Sequence, residues 1–270
     1  MLTSFLKTFQ EIVYVERYSS NGVMQQIDPR VKLLSIAALV SSAVAVRTVT
    51  PLLVLFVAVL VLCVASRIPL KFFLKRTTIF IPIFAGVIAL PLPFITPGTA
   101  LASLEYGRIA VLVTREGLYR AVQFTLRIWV CVALSILLML TTRFPRFIQA
   151  MESLRFPRVF VTMTSITYRF MFLFVNEAYR MVLAKESRTT KRLRWRENLR
   201  LLANMIATLF IRAYERGERV YLAMLSRGYT RRLRTLENMR CIPRDWGFAG
   251  VSFLTCLTVL LVDYFRVGGF

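Results

Sequence analysis

The stretch EAYRMVLAKESRTTKRLR, Glu177 to Arg194, shares a pattern of five identities at an offset of 39 residues with RGERVYLAMLSRGYTRRLR, Arg216 to Arg234. Arg180, Leu183, Ala184, Ser187 and Arg188 of the first copy return as Arg219, Leu222, Ala223, Ser226 and Arg227 of the second. Each set is spaced i, i+3, i+4, i+7, i+8, which on a helix brings all five side chains to one face. Each copy then runs into a basic cluster, Lys191-Arg192-Leu193-Arg194 and Arg231-Arg232-Leu233-Arg234. Two equivalent helical faces imply two equivalent partners, or two copies of one. Small residues at helical spacing usually serve close packing, and basic clusters usually form solvated faces or membrane-surface anchors. Five identities at one offset, each ahead of a basic run, favour docking instead. A small-residue face tipped by Arg188 or Arg227 suits insertion in a groove, where a guanidinium makes several directed bonds.

Composition sets the class. The chain is 57% hydrophobic yet carries a net charge of +22 over 270 residues. That is too apolar for a nucleic-acid binder and too charged for a plain bundle of spans, so the two properties must be segregated. Of 36 Lys and Arg, 22 lie between Arg143 and Arg244, against 8 acids in residues 143–245. The surplus marks one face of a membrane protein, and no polynucleotide partner is implied. Cys63, Cys131, Cys241 and Cys256 have no close spacing and read as packed free thiols. There is no histidine and no Gly followed by Lys, so the commonest metal ligand and the P-loop are both absent.

Residues 1–30 show no removable signal peptide and read as a cytoplasmic N-terminal segment. Asp28-Pro29-Arg30 opens a helix, with Asp28 as cap and Pro29 at the first helical position, ahead of an apolar run from Leu33 to Val46. Arg47 to Pro51 turns the chain into a second run ending near Ala65, and Arg67, Lys71, Lys75 and Arg76 form a cytoplasmic loop. A third run, Thr78 to Ile95, contains Pro82, Pro91 and Pro93 and is expected to break near its end. Thr96 to Gly117 reads as a charge-neutral outer loop, and a fourth span covers Leu118 to Thr141 with Arg127 inside it. Arg127 is equally a functional candidate and a side chain reaching the headgroups or an acid such as Glu116.

The basic residues at 143–158 and again after Lys185 should share the cytoplasmic side, so a single crossing between them is excluded by parity. Residues 199–211 are too short for a second crossing, and neither segment is therefore expected to cross. Residues 143–245 become a cytoplasmic or interfacial coupling module. Within it, Pro145 and Pro157 bracket a short amphipathic helix with Phe147, Ile148, Met151 and Leu154 on its apolar side. Long helices follow over about Arg158 to Arg194 and Glu197 to Tyr229, the second with Leu199, Leu202, Ala203, Ile206 and Phe210 in one stripe and Gly228 to end it. The repeated faces then tip a pair of prongs pointing out of the membrane. The resulting class is an all-α membrane protein of about five transmembrane helices plus a helical coupling module with two long helices. Four of the spans lie in residues 31–142 and the last in 246–270, where Asp263 is close enough to the end to reach water.

Asp28-Pro29-Arg30-Val31-Lys32, Pro69-Leu70, Phe144-Pro145, Phe156-Pro157-Arg158, Tyr168-Arg169-Phe170, Asn176-Glu177-Ala178 and Glu218 to Tyr229 together resemble the CbiQ family. This is the transmembrane (T) component of energy-coupling factor transporters, in particular for cobalt. The most specific element is the pair of tripeptides Ser187-Arg188-Thr189 and Ser226-Arg227-Gly228. The resemblance implies a prokaryotic cell-membrane protein whose helix ends dock in two ATP-binding-cassette (ABC) subunits. ATP and Mg would sit on those subunits, and this chain would bind no cofactor and catalyse nothing. Substrate would be chosen by a CbiM-like membrane subunit, with or without a small CbiN-like one. Family tripeptides commonly begin with Ala and end in Gly or Ala, so Thr189 is a departure that would make the two docking sites unequal. The metal moved would be cobalt or nickel, and three alternatives stand beside this reading: a T component serving another micronutrient such as a vitamin, a conventional importer permease conducting its own substrate, and a membrane enzyme. The spans lack the clustered acids or histidines that the enzyme would need.

Overall fold

The computed structural model describes residues 24–97, 99–106, 109–189, 194–229 and 243–267. Its α-helices are α1 (Pro29–Ala45), α2 (Val49–Ala65), α3 (Leu70–Ala89), α4 (Leu92–Ile95), α5 (Arg115–Thr141), α6 (Phe144–Ser153), α7 (Arg158–Arg188), α8 (Trp195–Ser226) and α9 (Pro243–Val267). An antiparallel hairpin, β1 (Ala100–Tyr106) and β2 (Ile109–Thr114), occupies most of what the sequence suggested was a loop. The class is nonetheless that of an all-α membrane protein. The N-terminal residues 1–23, Lys191 to Leu193, Arg231 to Arg234 and Cys241 lie outside the described residues.

The chain divides into two units, one of residues 145–238 and one of residues 11–144 with 239–270. In the second unit α5 is central and packs on α1, α2, α3 and α4, while α9 packs on α1 and α2. Ile36, Leu39, Leu52, Leu55, Val59, Phe73, Val130, Leu134 and Leu137 form its buried core. The Phe56 and Trp129 rings meet at 4.3 Å between centroids. The start of α1 follows local chemistry: the Asp28 carboxylate accepts the Arg30 amide at 2.9 Å and Pro29 takes the first position. Lys71, Lys75 and Arg76, expected in a loop, instead form the first turns of α3. Lys and Arg are good helix formers, and charge alone does not interrupt a helix. As expected, the third run breaks at its end, α3 stopping at Ala89 and α4 beginning after Pro91.

Arg127 caps the tight turn between α1 and α2. Its guanidinium donates to the Val46 carbonyl at 2.6 Å, beside Gln123, whose amide donates to the Arg47 carbonyl. Asp263 completes the turn by accepting the amides of Arg47 and Thr48 and the Thr48 hydroxyl. Glu116, the acid suggested for Arg127, instead accepts the amide and hydroxyl of Thr99.

Among the described residues three helices are long and apolar enough to cross a membrane: α5, α7 and residues 243–266 of α9; α2 is apolar but shorter. At 17 residues and 1.5 Å per residue, α1 and α2 each extend about 26 Å, the lower limit for a span. Helix α7, expected not to cross the membrane, meets the criteria of length and composition.

In the unit of residues 145–238, α6 begins at Phe144 and turns Ile148 inward, with Phe147, Met151 and Leu154 half-buried as its apolar side required. Helices α7 and α8 form a hairpin. Lys185 of α7 donates to Asn198 of α8 near the connection, and Glu177 pairs with Arg212 further along. Ile166 and Met224 line one cleft with Phe170, Phe174, Leu209 and Val220, a space of about 680 Å³. Residue numbers thus fall on α7 as they rise on α8, and the two helices are antiparallel. The inward line of α8 runs through Leu202, Met205, Leu209, Ala213 and Val220, while of the expected stripe Leu199, Ala203, Ile206 and Phe210 are exposed and only Leu202 joins the inward line. The sequence stripe is a true apolar face of α8, but a second apolar line, offset around the helix, makes the contact with α7.

Candidate partner-docking site

The first copy of the repeat occupies the last turns of α7 and the second the last turns of α8. Every residue of both faces is exposed: Arg180, Leu183, Ala184, Ser187 and Arg188 on one helix, Arg219, Leu222, Ala223, Ser226 and Arg227 on the other. Leu183 is 46% and Leu222 57% accessible, which leaves two apolar side chains in equivalent places with nothing packed on them. The faces therefore do not serve the α7–α8 contact, the plain use for small residues at this spacing.

The two ends differ in how the backbone stops. At the end of α8, Arg227 is the C-cap, Gly228 has φ +76°, its amide donates to the Leu225 carbonyl at 3.0 Å, and Tyr229 donates to Met224 at 3.0 Å. This pair of bonds is a Schellman turn, which needs the left-handed conformation that glycine adopts without a Cβ clash. At the end of α7, Arg188 is the last helical residue and Thr189, the counterpart of Gly228, is extended at φ −110°, ψ 98°. Its hydroxyl donates to the Lys185 carbonyl at 2.7 Å. A β-branched residue resists φ > 0, so Thr189 cannot repeat the Gly228 turn.

Both arginines stand where the helix carbonyls give a negative end, which favours a cation. The guanidinium groups of Arg180, Arg188 and Arg227 make no hydrogen bond or ion pair with any described residue. Ser187 and Ser226 turn their hydroxyls onto the carbonyls of Leu183 and Ala223, both at 3.0 Å, which keeps the faces smooth. Because the hairpin is antiparallel, the two tips lie at opposite ends of it and are not side-by-side prongs. At 1.5 Å per residue they are separated by on the order of 40 Å.

Sequence reasoning missed the residues that set this geometry, Lys185 with Asn198 and Glu177 with Arg212. The short connection between the long helices was the available signal, since few residues force neighbouring helices to run antiparallel. No group of three or more His, Cys, Asp or Glu that could hold a metal ion occurs among the described residues.

An apolar helical bundle and a helical hairpin bearing two exposed, repeated faces define an all-α membrane protein. Residues 20–237 match the CbiQ family, described as cobalt transport protein, and the chain belongs to that family. It is 33% identical over 265 residues to an uncharacterised protein of Methanocaldococcus jannaschii, covering 97% of this chain and 89% of the relative. It is 26% identical over 250 residues to the energy-coupling factor transporter transmembrane protein EcfT of Listeria innocua, covering 89% and 92% of the two chains. It is also 26% identical over 174 residues to the cobalt transport protein CbiQ of Rhodobacter capsulatus, covering 64% and 66%.

Proposed function

We propose that the chain is the transmembrane T component of an energy-coupling factor importer. It takes the ATP-driven closure of two ABC subunits at Arg188 and Arg227 and passes it to a separate, CbiM-like membrane subunit that carries cobalt or nickel. The observation that carries this reading is the exposure of both copies of the repeated face at the ends of two long helices. On this reading, residues 143–245 are the cytoplasmic coupling module and the remaining helices are the membrane scaffold. Ala184, Ser187, Ala223 and Ser226 let a groove wall approach the helix backbone closely, and each arginine bonds carbonyls or an acid at the groove's end. An antiparallel hairpin with a docking tip at each end works as a lever, because closure of the ATPase pair moves both tips at once. Nucleotide and Mg stay on the ATPase subunits, and this chain performs no reaction.

The test is metal uptake by vesicles holding the chain, its ATPase pair and the substrate-binding subunit. ATP-dependent cobalt or nickel uptake is expected, falling to background in Arg227→Glu; normal uptake by that variant in an intact complex would refute the role of the arginine. A second reading is favoured by relatives named as energy-coupling factor transporter transmembrane proteins with no substrate specified: a T component serving another micronutrient, such as a vitamin. Assembly and ATP hydrolysis without uptake of either metal would select it.

A further inference from the structure

The opening turn of α1 does more than start a helix. Lys32 is 1% exposed, and its ammonium donates to the Thr141 carbonyl at 3.1 Å and the Thr142 hydroxyl at 3.2 Å. Thr141 is the last residue of α5 and Thr142 its C-cap, so the buried cation sits on the negative end of that helix. One turn before Lys32, the amide of Asp28 donates to the Asp245 carboxylate at 3.0 Å. Asp245 is in the first turn of α9 and is also 1% exposed. The chain leaves this unit after Phe144, and its described residues resume there at Pro243. The residues just inside both crossings, Thr141 with Thr142 on the way out and Asp245 on the way back, are therefore fastened to one turn of α1.

Buried charges are a poor way to gain stability, since apolar residues of the same shape often do as well, but they fix register because breaking them leaves a charge stranded. We propose that Asp28 and Lys32 form the junction through which movement of the 145–238 unit reaches the membrane helices. A pull on either connecting segment is delivered to α1, α5 and α9 together, and α5 carries it to the helices packed around it. Lys32 acts through Thr141 and Thr142 and is a positioning residue. This inference rests on the T-component reading above.

The experiment compares wild type with Lys32→Met and Lys32→Arg in the reconstituted complex, reading ATP hydrolysis and substrate uptake in the same vesicles. Lys32→Met is expected to keep its ATPase partners and hydrolyse ATP while uptake per ATP falls roughly tenfold, within the range for residues that couple two elements. Lys32→Arg, which keeps the buried cation, should recover most of the ratio. A wild-type ratio in an assembled Lys32→Met complex overturns the proposal. Should Lys32→Met not assemble, Thr142→Val removes the hydroxyl acceptor with little change of shape; a ratio lowered about threefold supports the junction, and an unchanged one overturns it. If the wild-type chain itself carries no ABC subunit, the T-component reading fails first and this inference falls with it.

Discussion

At Gly228 the backbone reaches φ +76° so that Tyr229 can close onto Met224, and this turn presents Arg227 as the cap of its helix. Open space surrounds the glycine, so a side chain there suffers from conformation and not from collision. Gly228→Val should cost about 1–2 kcal/mol at the turn. The expected readout is weaker retention of the ATPase partner in pull-downs, whereas Thr189→Gly should bind at least as well as wild type. Gly117 is the opposite case. An added Cβ would lie 2.3 Å from the Thr96 hydroxyl and 2.7 Å from both the Pro93 Cα and the Thr114 hydroxyl. Two of these neighbours belong to a tight set in which Thr114 donates to the Thr96 carbonyl at 2.9 Å. Gly117→Ala should therefore destabilise the start of α5 by roughly 1–3 kcal/mol, seen as a lower melting temperature in detergent.

Among the elements, the α1–α2 turn depends on a carboxylate from the far end of the chain. Asp263 accepts two amides and one hydroxyl there, and Asp263→Ala leaves those donors to find water. A loss of about 2 kcal/mol is expected, with Asp263→Asn milder because its carbonyl oxygen still accepts. This contact also shows what a sequence can and cannot disclose. The start of α1 was legible because cap chemistry is local: Asp28 and Pro29 act on amides within one turn. The end of α8 was legible for the same reason, through Gly228. By contrast, the partners of Asp263, Arg127 and Lys32 come from distant segments, and nothing local to those residues names them. The strands at 100–114 were hidden by reading Gly107 and the cancelling charges as a loop. On α8, an exposed apolar line competes with the inward one, and periodicity detects a face without saying what covers it.

For the molecule as a whole, α9 carries the signature of a span at both ends. Trp246 and Tyr264 are 77% and 74% exposed, and the helical rise puts them about 27 Å apart, close to the thickness of the hydrocarbon core. Aromatic residues favour the two membrane interfaces, so these side chains mark the depth at which α9 sits. Helix α7 has the length to span, yet the proposed coupling role requires its Arg188 tip and the Arg227 tip of α8 on one side of the membrane. Cysteines introduced at Glu186 and Glu218, in a background without native cysteines, should both react with an impermeant thiol reagent applied from the cytoplasmic side alone; labelling from opposite sides would make α7 or α8 a span. The central claim is that the twin faces hold the ATPases, and the most direct measurement is purification of the tagged chain from its native membranes beside an Arg188→Glu, Arg227→Glu double mutant. An ABC protein accompanying the wild type and missing from the mutant is the result expected, with the remaining membrane partner identifying the substrate subunit. The same ATPase in both preparations, or in neither, would contradict the account.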